Sequence, residues 1–231
     1  MYKVSKEVRS FQGEINISGS KSESNRLLVI RAYTSFFKII NISDSDDTNT
    51  MISALKSNDK EINIGHAGTA MRFLTSYFSS ILNSSIILTG SARMKNRPIS
   101  ILVDALNNLG ADIEYIDNIG FPPIRLRGKL ISNDTVSLPA NVSSQYISSL
   151  MMLGVSLKEG LKIKISTKIT SLPYVQMTKK IIERVGGKVV IQSDNIIIKP
   201  FQSDNISDQI VESDWSSASY FFSLVALSDY S

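Results

Sequence analysis

Residues 177–198 read MTKKIIERVGGKVVIQSDNIII, and this stretch carries three kinds of local structure in succession. The apolar positions of its first half recur at helical spacing: Met177, Ile181, Ile182 and Val185. Gly186 and Gly187 stop that helix. Residues 188–192 then have the composition of a strand, and Asp194-Asn195 turns the chain into a second strand over 196–198. The stretch therefore predicts a helix, a glycine stop and a β-hairpin.

The same order occurs earlier in the chain. A helical pattern runs through Val103, Leu106 and Leu109, Gly110 stops it, and 112–115 alternates as a half-buried strand before a turn and a second strand. The turn spans 117–120 and the second strand 124–126. A weaker third copy spans 51–64. The repeats predict an α/β (α+β) fold in which about three related units share one core.

Composition excludes several classes of protein. The 231 residues contain no cysteine and one histidine, which rules out disulfides, thiolate metal sites, a cysteine nucleophile and a histidine-rich metal site. The net charge of +4 and a pI of about 9.2 suit anionic partners of any size. With 42% hydrophobic residues, no apolar segment of membrane-spanning length and a polar Met1–Ser10, we expect a globular cytoplasmic protein.

An apolar helical pattern begins at Asp214 and continues to Leu227, with tyrosine and phenylalanine along it. No strand follows before Ser231. A helix with so much aromatic surface needs a packing partner. We therefore expect that the natural protein continues and that these residues are its N-terminal part.

Four segments place small or hydroxyl residues directly before a helical pattern: 19–22, 65–69, 143–145 and 213–217. Helix N-termini favour anions by ~0.3 to 1 kcal/mol per charge, although any single segment is most simply a helix cap. Basic residues accompany these starts or lie in a loop closed by Pro98: Lys21, Arg26, Arg72, Arg93, Lys95 and Arg97. Arginine binds carboxylate and phosphate bidentately, so the set suggests an anion site, and a solvated basic face remains the alternative that composition alone supports equally.

Other chemistries have weaker support. Asp44, Asp46 and Asp47 could ligate a divalent cation, but Asp47 and Thr48 precede a helical pattern and are better interpreted as caps. We interpret His66 as a hydrogen-bonded loop residue. The phosphate-binding G-x-x-x-x-G-K-[ST] and dinucleotide G-x-G-x-x-G motifs are absent. The basic residues are not interleaved with aromatics, so no nucleic-acid partner is expected.

Taken together, six segments resemble the EPSP synthase (3-phosphoshikimate 1-carboxyvinyltransferase) family in order and spacing: GSKSESNR at 19–26, SDSDDT at 43–48, AGTAMR at 67–72, LTGSARMKNRP at 88–98, SSQ at 143–145 and SSAS at 216–219. The resemblance covers nearly the whole chain but about the first half of the family's usual length. It implies an enolpyruvyl transferase-like fold of two domains, each with three βαβαββ-type units. Residues 19–211 would form the complete N-terminal substrate-binding domain, and 1–18 and 212–231 would belong to the second, truncated domain.

The resemblance also implies an activity. The family transfers the enolpyruvyl group of phosphoenolpyruvate to the 5-hydroxyl of shikimate 3-phosphate through a tetrahedral intermediate that loses phosphate, in the pathway to aromatic amino acids. It uses no metal or redox cofactor. The partners implied are these two small molecules and the missing C-terminal half, with a monomer at full length and neither nucleic acid nor membrane. Without that half, we expect this chain not to catalyse the transfer.

Site residues follow from the resemblance, position by position. The shikimate 3-phosphate set is Lys21, Ser22, Arg26, Ser143, Ser144, Gln145, Ser171 and Tyr174. The phosphoenolpyruvate set is Lys21, Gly68, Thr69, Arg97 and Gln145, and Lys21, which would touch both substrates, is the implied catalytic residue. The chain departs from the family's common residues at His66, Phe73 and Trp215.

Two rival interpretations stay open. One is the related UDP-N-acetylglucosamine enolpyruvyl transferase, which commonly pairs lysine with asparagine where this chain has Lys21-Ser22 and in which many members carry a loop cysteine. The other is a non-catalytic module that binds a phosphorylated metabolite. A titration with shikimate 3-phosphate and with UDP-N-acetylglucosamine separates the first rival from the main hypothesis.

Overall fold

The structure is a computed structural model, and it describes residues 13–34, 37–139, 143–166, 169, 171–202 and 206–228. The predicted polar segment Met1–Ser10 and most of the 1–18 segment lie outside the described residues. The helices are α1 Lys21–Tyr33, α2 Asp46–Lys56, α3 Gly68–Ser80, α4 Ala92–Lys95, α5 Ser100–Asn108, α6 Ser144–Gly154, α7 Leu172–Arg184 and α8 Trp215–Ala226. The strands are β1 Ile39–Ile40, β2 Glu61–Asn63, β3 Ser85–Thr89, β4 Asp112–Tyr115, β5 Ile124–Arg127, β6 Thr135–Leu138, β7 Leu161–Ile165, β8 Lys188–Ile191, β9 Asn195–Lys199 and β10 Gln209–Ile210.

Two four-stranded sheets have the same topology. Their strand orders are β2-β3-β5-β4 and β6-β7-β9-β8. In each sheet the first two strands are parallel, and the last two form an antiparallel hairpin against the second. The element orders β2-α3-β3-α5-β4-β5 and β6-α6-β7-α7-β8-β9 are two βαβαββ units, with the short α4 inserted in the first. The predicted repeat is confirmed for these two units.

Both predicted helix, stop and hairpin segments form as expected. Helix α5 ends before Gly110 and α7 ends before Gly186, and these glycines adopt positive φ angles of 104° and 97°. A left-handed residue directly after the last turn ends a helix cheaply only when it lacks a Cβ. In the hairpins, Ile113 pairs with Leu126 and Val189 with Ile198, which brings buried side chains onto one face.

The prediction of a third hairpin repeat over 51–64 is wrong. The predicted helix and strand exist as α2 and β2, but β2 does not turn back into a hairpin. Its partner is β3, to which it is parallel, so β2 opens the next unit. After β2 the chain enters α3 instead of a hairpin turn, so the strand is not followed by an antiparallel partner. The third unit instead consists of α1, β1 and α2, with β1 paired in parallel to β10 from the far end of the chain.

Helices α1, α3, α6 and α7 pack against one another in the core. Residues 23–30 of α1 are all buried, including the polar residues Glu23, Asn25 and Arg26. A helix that is buried on every side shows no amphipathic period. The small residues at 19–22 predicted the start of α1. The helix has no hydrophobic stripe from which its later turns could be predicted.

Helix α8 begins as predicted, because Asp214 Oδ1 accepts a hydrogen bond from the Ser216 N–H at 2.8 Å. None of its residues is buried. Trp215 is 72% exposed and stacks on Phe222 with ring centroids 6.4 Å apart. The helix therefore presents an apolar face with no partner within the described residues. Among those residues, no helix has the length and apolar composition needed to cross a bilayer.

Candidate active site

The four segments predicted as helix starts do lie at helix starts, namely those of α1, α3, α6 and α8. Two details differ from the prediction. Ser45, not Asp47 or Thr48, caps α2, and its side chain accepts a hydrogen bond from the Thr48 N–H. Arg93 and Lys95 lie in α4 rather than in a loop, because the Ser91 side chain caps a short helix there.

Arg26 lies at the centre of the helix cluster. Its Nε donates to Thr178 Oγ1 on α7 at 2.7 Å, Nη2 donates to Ser148 Oγ on α6 at 3.2 Å, and Nη1 donates to the Ser22 carbonyl at 2.8 Å. The guanidinium carbon also lies 5.3 Å from the ring centre of Phe73 on α3. One side chain of α1 thus contacts three other helices.

The electrostatic position of Arg26 is unusual. The residue is 3% exposed, and burial lowers the pKa of its guanidinium to about 10, so it stays charged at neutral pH. Within the described residues it makes no ion pair with a carboxylate; its partners are hydroxyls, a carbonyl and aromatic rings. A buried charge without a counterion is costly. Such a group is therefore suited to an anionic ligand.

The starts of the four core helices lie at one end of the domain. Arg26, in the second turn of α1, meets the second turns of α3, α6 and α7, and its guanidinium lies 6.0 Å from the Tyr174 ring in the first turn of α7. In the first turns of α6 and α3, Gln145 Nε2 donates to Thr69 Oγ1 at 3.4 Å. The positive ends of four helix dipoles therefore face one region.

Lys21, Ser22 and Tyr174 line one cavity of about 530 Å³ between α1, α7 and the start of α8. The Lys21 ammonium is 3.6 Å from Asp47 Oδ2, and its side chain is 45% exposed. Tyr174 is also about half exposed. The structure therefore brings three of the predicted shikimate 3-phosphate residues to one accessible cavity.

A second cluster joins predicted phosphoenolpyruvate residues. Gly68 lies against the Arg97 guanidinium so closely that a Cβ at position 68 would overlap it. Thr69 follows Gly68 and receives the hydrogen bond from Gln145. Arg97 itself is exposed. Glycine at 68 thus permits a close approach of Arg97 to the first turn of α3.

The three predicted hydroxyl residues are placed at helix starts. Ser143 caps α6 by accepting from the Gln145 N–H at 3.3 Å, and Ser144 is the first residue of that helix. Ser171 precedes α7 in a left-handed conformation with φ of 57°. In the part of the chain that the structure describes, no hydrogen bond joins these three serines. An unfavourable backbone conformation on a non-glycine residue is a feature typical of ligand-contacting positions.

Two residues near these clusters have structural partners. Arg72 is buried, and it donates to the Gly68 carbonyl at 3.0 Å and to the Pro98 carbonyl at 3.3 Å, so it braces the Arg97 loop rather than forming part of an open basic face. The interpretation of His66 as a hydrogen-bonded loop residue is confirmed, since its Nδ1 is 2.8 Å from Ser91 Oγ.

The acidic cluster is explained without a metal. Asp44 Oδ1 accepts from Ser18 Oγ at 2.6 Å, and Asp46 and Asp47 lie in the first turn of α2. Asp47 also pairs with Lys21. Over the described ranges, no three histidine, cysteine or acidic side chains are grouped so that they could hold an ion.

Sequence reasoning missed the residues that hold Arg26 in place. Ser148 lies one turn after Ser144 on α6, and Thr178 lies one turn after Tyr174 on α7. A hydroxyl four residues beyond each predicted contact residue, on an otherwise apolar face, was the signal available in the sequence.

The fold is that of an α/β domain of the enolpyruvyl transferase type. A family model described as EPSP synthase (3-phosphoshikimate 1-carboxyvinyltransferase) matches residues 55–230. The chain belongs to this family.

Individual relatives agree with this assignment. A 3-phosphoshikimate 1-carboxyvinyltransferase of Bacteroides fragilis strain YCH46 is 46% identical over 215 residues, which are 93% of this chain and 52% of the relative. That of Colwellia psychrerythraea is 37% identical over 251 residues, covering 95% of this chain and 58% of the relative. The solved EPSP synthase from Acinetobacter baumannii superposes with a TM-score of 0.76 at 20% identity, covering 92% of this chain and 53% of that one. The chain spans about half the length of the curated relatives it matches.

Proposed function

We propose that this chain provides the shikimate 3-phosphate side of a 3-phosphoshikimate 1-carboxyvinyltransferase. In the proposed reaction the 5-hydroxyl of shikimate 3-phosphate attacks C2 of phosphoenolpyruvate while C3 gains a proton. The tetrahedral adduct then loses inorganic phosphate from C2 and a proton from C3, which leaves the enolpyruvyl ether. The relatives named above carry this activity in their names.

The observation that carries the proposal is the buried Arg26, which has no carboxylate partner among the described residues and lies beneath the converging starts of α1, α3, α6 and α7. The two substrates bring two phosphates and two carboxylates. Binding them requires cations and N–H donors arranged in advance, since these act most strongly where water is excluded. Arg26, with Ser22 beside it, is the proposed partner of the shikimate carboxylate.

The remaining assignments follow the two clusters. Lys21, on the wall of the cavity, is proposed to contact both substrates and to stabilise the charge that develops as phosphate leaves. Ser143, Ser144 and Ser171 would donate hydroxyl hydrogen bonds to the 3-phosphate, and Tyr174 would lie beside the shikimate ring. Gly68, Thr69 and Arg97 would bind phosphoenolpyruvate, with Gln145 between the two substrates because it already bonds Thr69.

The proposal also divides the chain. Residues 19–211 are proposed as the substrate-binding domain, with 1–18 and 212–231 as parts of a second domain. The lack of any buried residue in α8 supports this boundary, because its apolar face has nothing to pack on within the described residues. The second domain would close over the site and exclude water. We propose that this chain alone binds shikimate 3-phosphate but does not turn over, and that the complete enzyme acts in the cytoplasm as a monomer.

A two-dimensional NMR titration tests the proposal. Shikimate 3-phosphate should shift the backbone amides of Lys21, Arg26 and Gln145, and the variant Arg26→Met should abolish those shifts. Arg125→Met is the matched control, because Arg125 lies on the exposed face of β5 and pairs with Glu114 at 3.4 Å. Product formation by the chain alone would contradict the half-site assignment.

The rival ligands are titrated separately under the same conditions. Shifts with UDP-N-acetylglucosamine but not with shikimate 3-phosphate would replace the substrate assignment. Equal shifts with inorganic phosphate and with shikimate 3-phosphate would indicate a general phosphate-binding module.

A further inference from the structure

Ser20 and Glu23 have the spacing of a capping box, the S-x-x-E pattern in which serine and glutamate cap the start of a helix reciprocally. The box does not form. Ser20 makes no side-chain cap, and its N–H donates instead to the carbonyl of Glu212 at 2.8 Å. The Glu23 carboxylate, which would normally reach back to the Ser20 N–H, is also directed elsewhere.

The Glu23 carboxylate joins three parts of the chain. Its Oε1 accepts from Arg184 Nη2 at the end of α7 at 2.5 Å, and its Oε2 accepts from the Glu212 N–H at 3.1 Å. Arg184 Nε in turn donates to Gln209 Oε1 at 2.8 Å. Glu23 is 8% exposed, so the carboxylate end of these bonds is shielded from water, whereas the Arg184 side chain is 40% exposed. One carboxylate therefore ties α1 and α7 to residues 209–214. We call these residues, which pass the start of α1 and lead into α8, the crossing segment.

The crossing segment is held to α1 by backbone bonds as well. Gly19 and Ser213 form an antiparallel bridge, and the Asp214 N–H donates to the Ser18 carbonyl at 2.9 Å. Both backbone polar groups of Glu212 are thus bonded at the start of α1, one to Ser20 and the other to Glu23. Glu23 and Glu212 also line the cavity that holds Lys21 and Ser22.

We propose that Glu23 is a positioning residue that couples the start of α1 to the crossing segment. Its carboxylate bonds Glu212 and Arg184 instead of the Ser20 N–H, and because the Ser20 side chain makes no cap either, the amides of the first turn of α1 stay open to an anion. It also holds the cavity wall formed by the crossing segment against Lys21 and Ser22. The effect on binding rests on the proposed function above, whereas the attachment of the crossing segment does not.

Hydrogen exchange and binding test the two parts separately. In Glu23→Ala and Arg184→Met, the amides of Ser20 and Glu212 should exchange about tenfold faster, the expected result of losing a hydrogen bond to a charged group. Amides in β7 and β9 should be unaffected. Arg184→Lys keeps a cation within reach of the carboxylate and should restore part of the protection. Affinity for shikimate 3-phosphate should fall about fivefold or more in the first two variants.

The matched control is Glu183→Gln. Glu183 is the neighbour of Arg184 on α7 and pairs with Lys179 at 3.5 Å, an exposed contact within one helix. Its loss should change neither exchange nor binding. If Glu23→Ala does not fold, Arg184→Met carries the test alone.

The outcomes are distinct. Exchange rates in Glu23→Ala and Arg184→Met equal to those of the control would overturn the attachment role. Faster exchange with unchanged affinity would overturn the coupling to the site. Absence of shikimate 3-phosphate binding by the unaltered chain would overturn the proposed function, and the positioning role would then be decided by the exchange rates alone.

Discussion

The Nε of Arg26 and the hydroxyl of Thr178 lie 2.7 Å apart, although 152 residues separate them in the chain. Thr178 Oγ1 is also 2.8 Å from Ser148 Oγ, which accepts from the same guanidinium. Two hydroxyls from two helices of one repeat unit thus hold the arginine of another. This triad of Arg26, Ser148 and Thr178 fixes a cation at the junction of the units, and its two neutral hydroxyls do not neutralise the charge.

The triad predicts that Arg26 is retained for binding rather than for stability. Arg26→Met removes a buried charge that, in the part of the chain that the structure describes, has no carboxylate partner to leave behind, so the free energy of unfolding should change by no more than about 1 kcal/mol. Shikimate 3-phosphate binding, measured by calorimetry, should be lost. A large fall in stability in urea, absent from the exposed control Arg125→Met, would show that Arg26 is mainly structural.

In contrast to Arg26→Met, Thr178→Val should mainly lower the free energy of unfolding. The substitution keeps the shape but leaves the Nε donor of a buried guanidinium without its acceptor, at a cost of about 1 to 3 kcal/mol. Urea unfolding measures the loss. Thr135→Val on the exposed surface of β6 is the control and should change stability little, since valine suits a strand. Equal effects of the two substitutions would contradict the role of the Arg26 bond.

Gly68→Ala should separate the two substrates. The added Cβ would overlap the Arg97 guanidinium, which is the far end of a flexible, exposed side chain and can move away without unfolding the domain. Phosphoenolpyruvate-dependent shifts in the NMR spectrum should therefore disappear, while those from shikimate 3-phosphate remain. Gly13→Ala, where no atom of the described residues lies within 4 Å of the new methyl group, should alter neither.

Stability should fall at high pH, in part through Tyr115. Burial, with the charge of Asp104 next in importance, raises the pKa of the Tyr115 phenol to about 12, against about 10 in an unfolded chain. Between these values the unfolded chain releases the proton and the folded chain keeps it, so the unfolded state binds fewer protons and stability decreases as pH rises. Tyr115→Phe should reduce the decrease in urea midpoint between pH 8 and pH 11. An unchanged decrease would show that other groups cause it.

Much of the fold was readable because its signals are local. The hairpins after Gly110 and Gly186 follow from the conformational freedom of glycine and from alternating strands, so both appear in the sequence and in the structure. The third repeat failed for a related reason. The helix and strand over 51–64 are local and were found, but the choice of β3 as the partner of β2 depends on a residue pairing outside that window.

The candidate site divides in the same way. Resemblance of short motifs gave Lys21, Ser22, Arg26 and Tyr174, and three of these do line one cavity. The partners that set their positions are not in the motifs. Ser148 and Thr178 look like ordinary polar residues of two helices, and only the packing of α6 and α7 against α1 brings them to Arg26.

The sequence by itself determined the alternating helices and strands, the helix stops, the helix starts rich in small residues and the absence of thiol chemistry, because each depends on residue type or on spacing within a few positions. The tertiary structure alone decided which strands pair, that Arg26 is buried with no counterion among the described residues, and that Glu23 bonds Arg184 and Glu212 instead of capping its own helix. A local capping box competes with distant partners for the same carboxylate. Which of them prevails depends on contacts between residues up to 189 positions apart, and these exist only once the helices have packed.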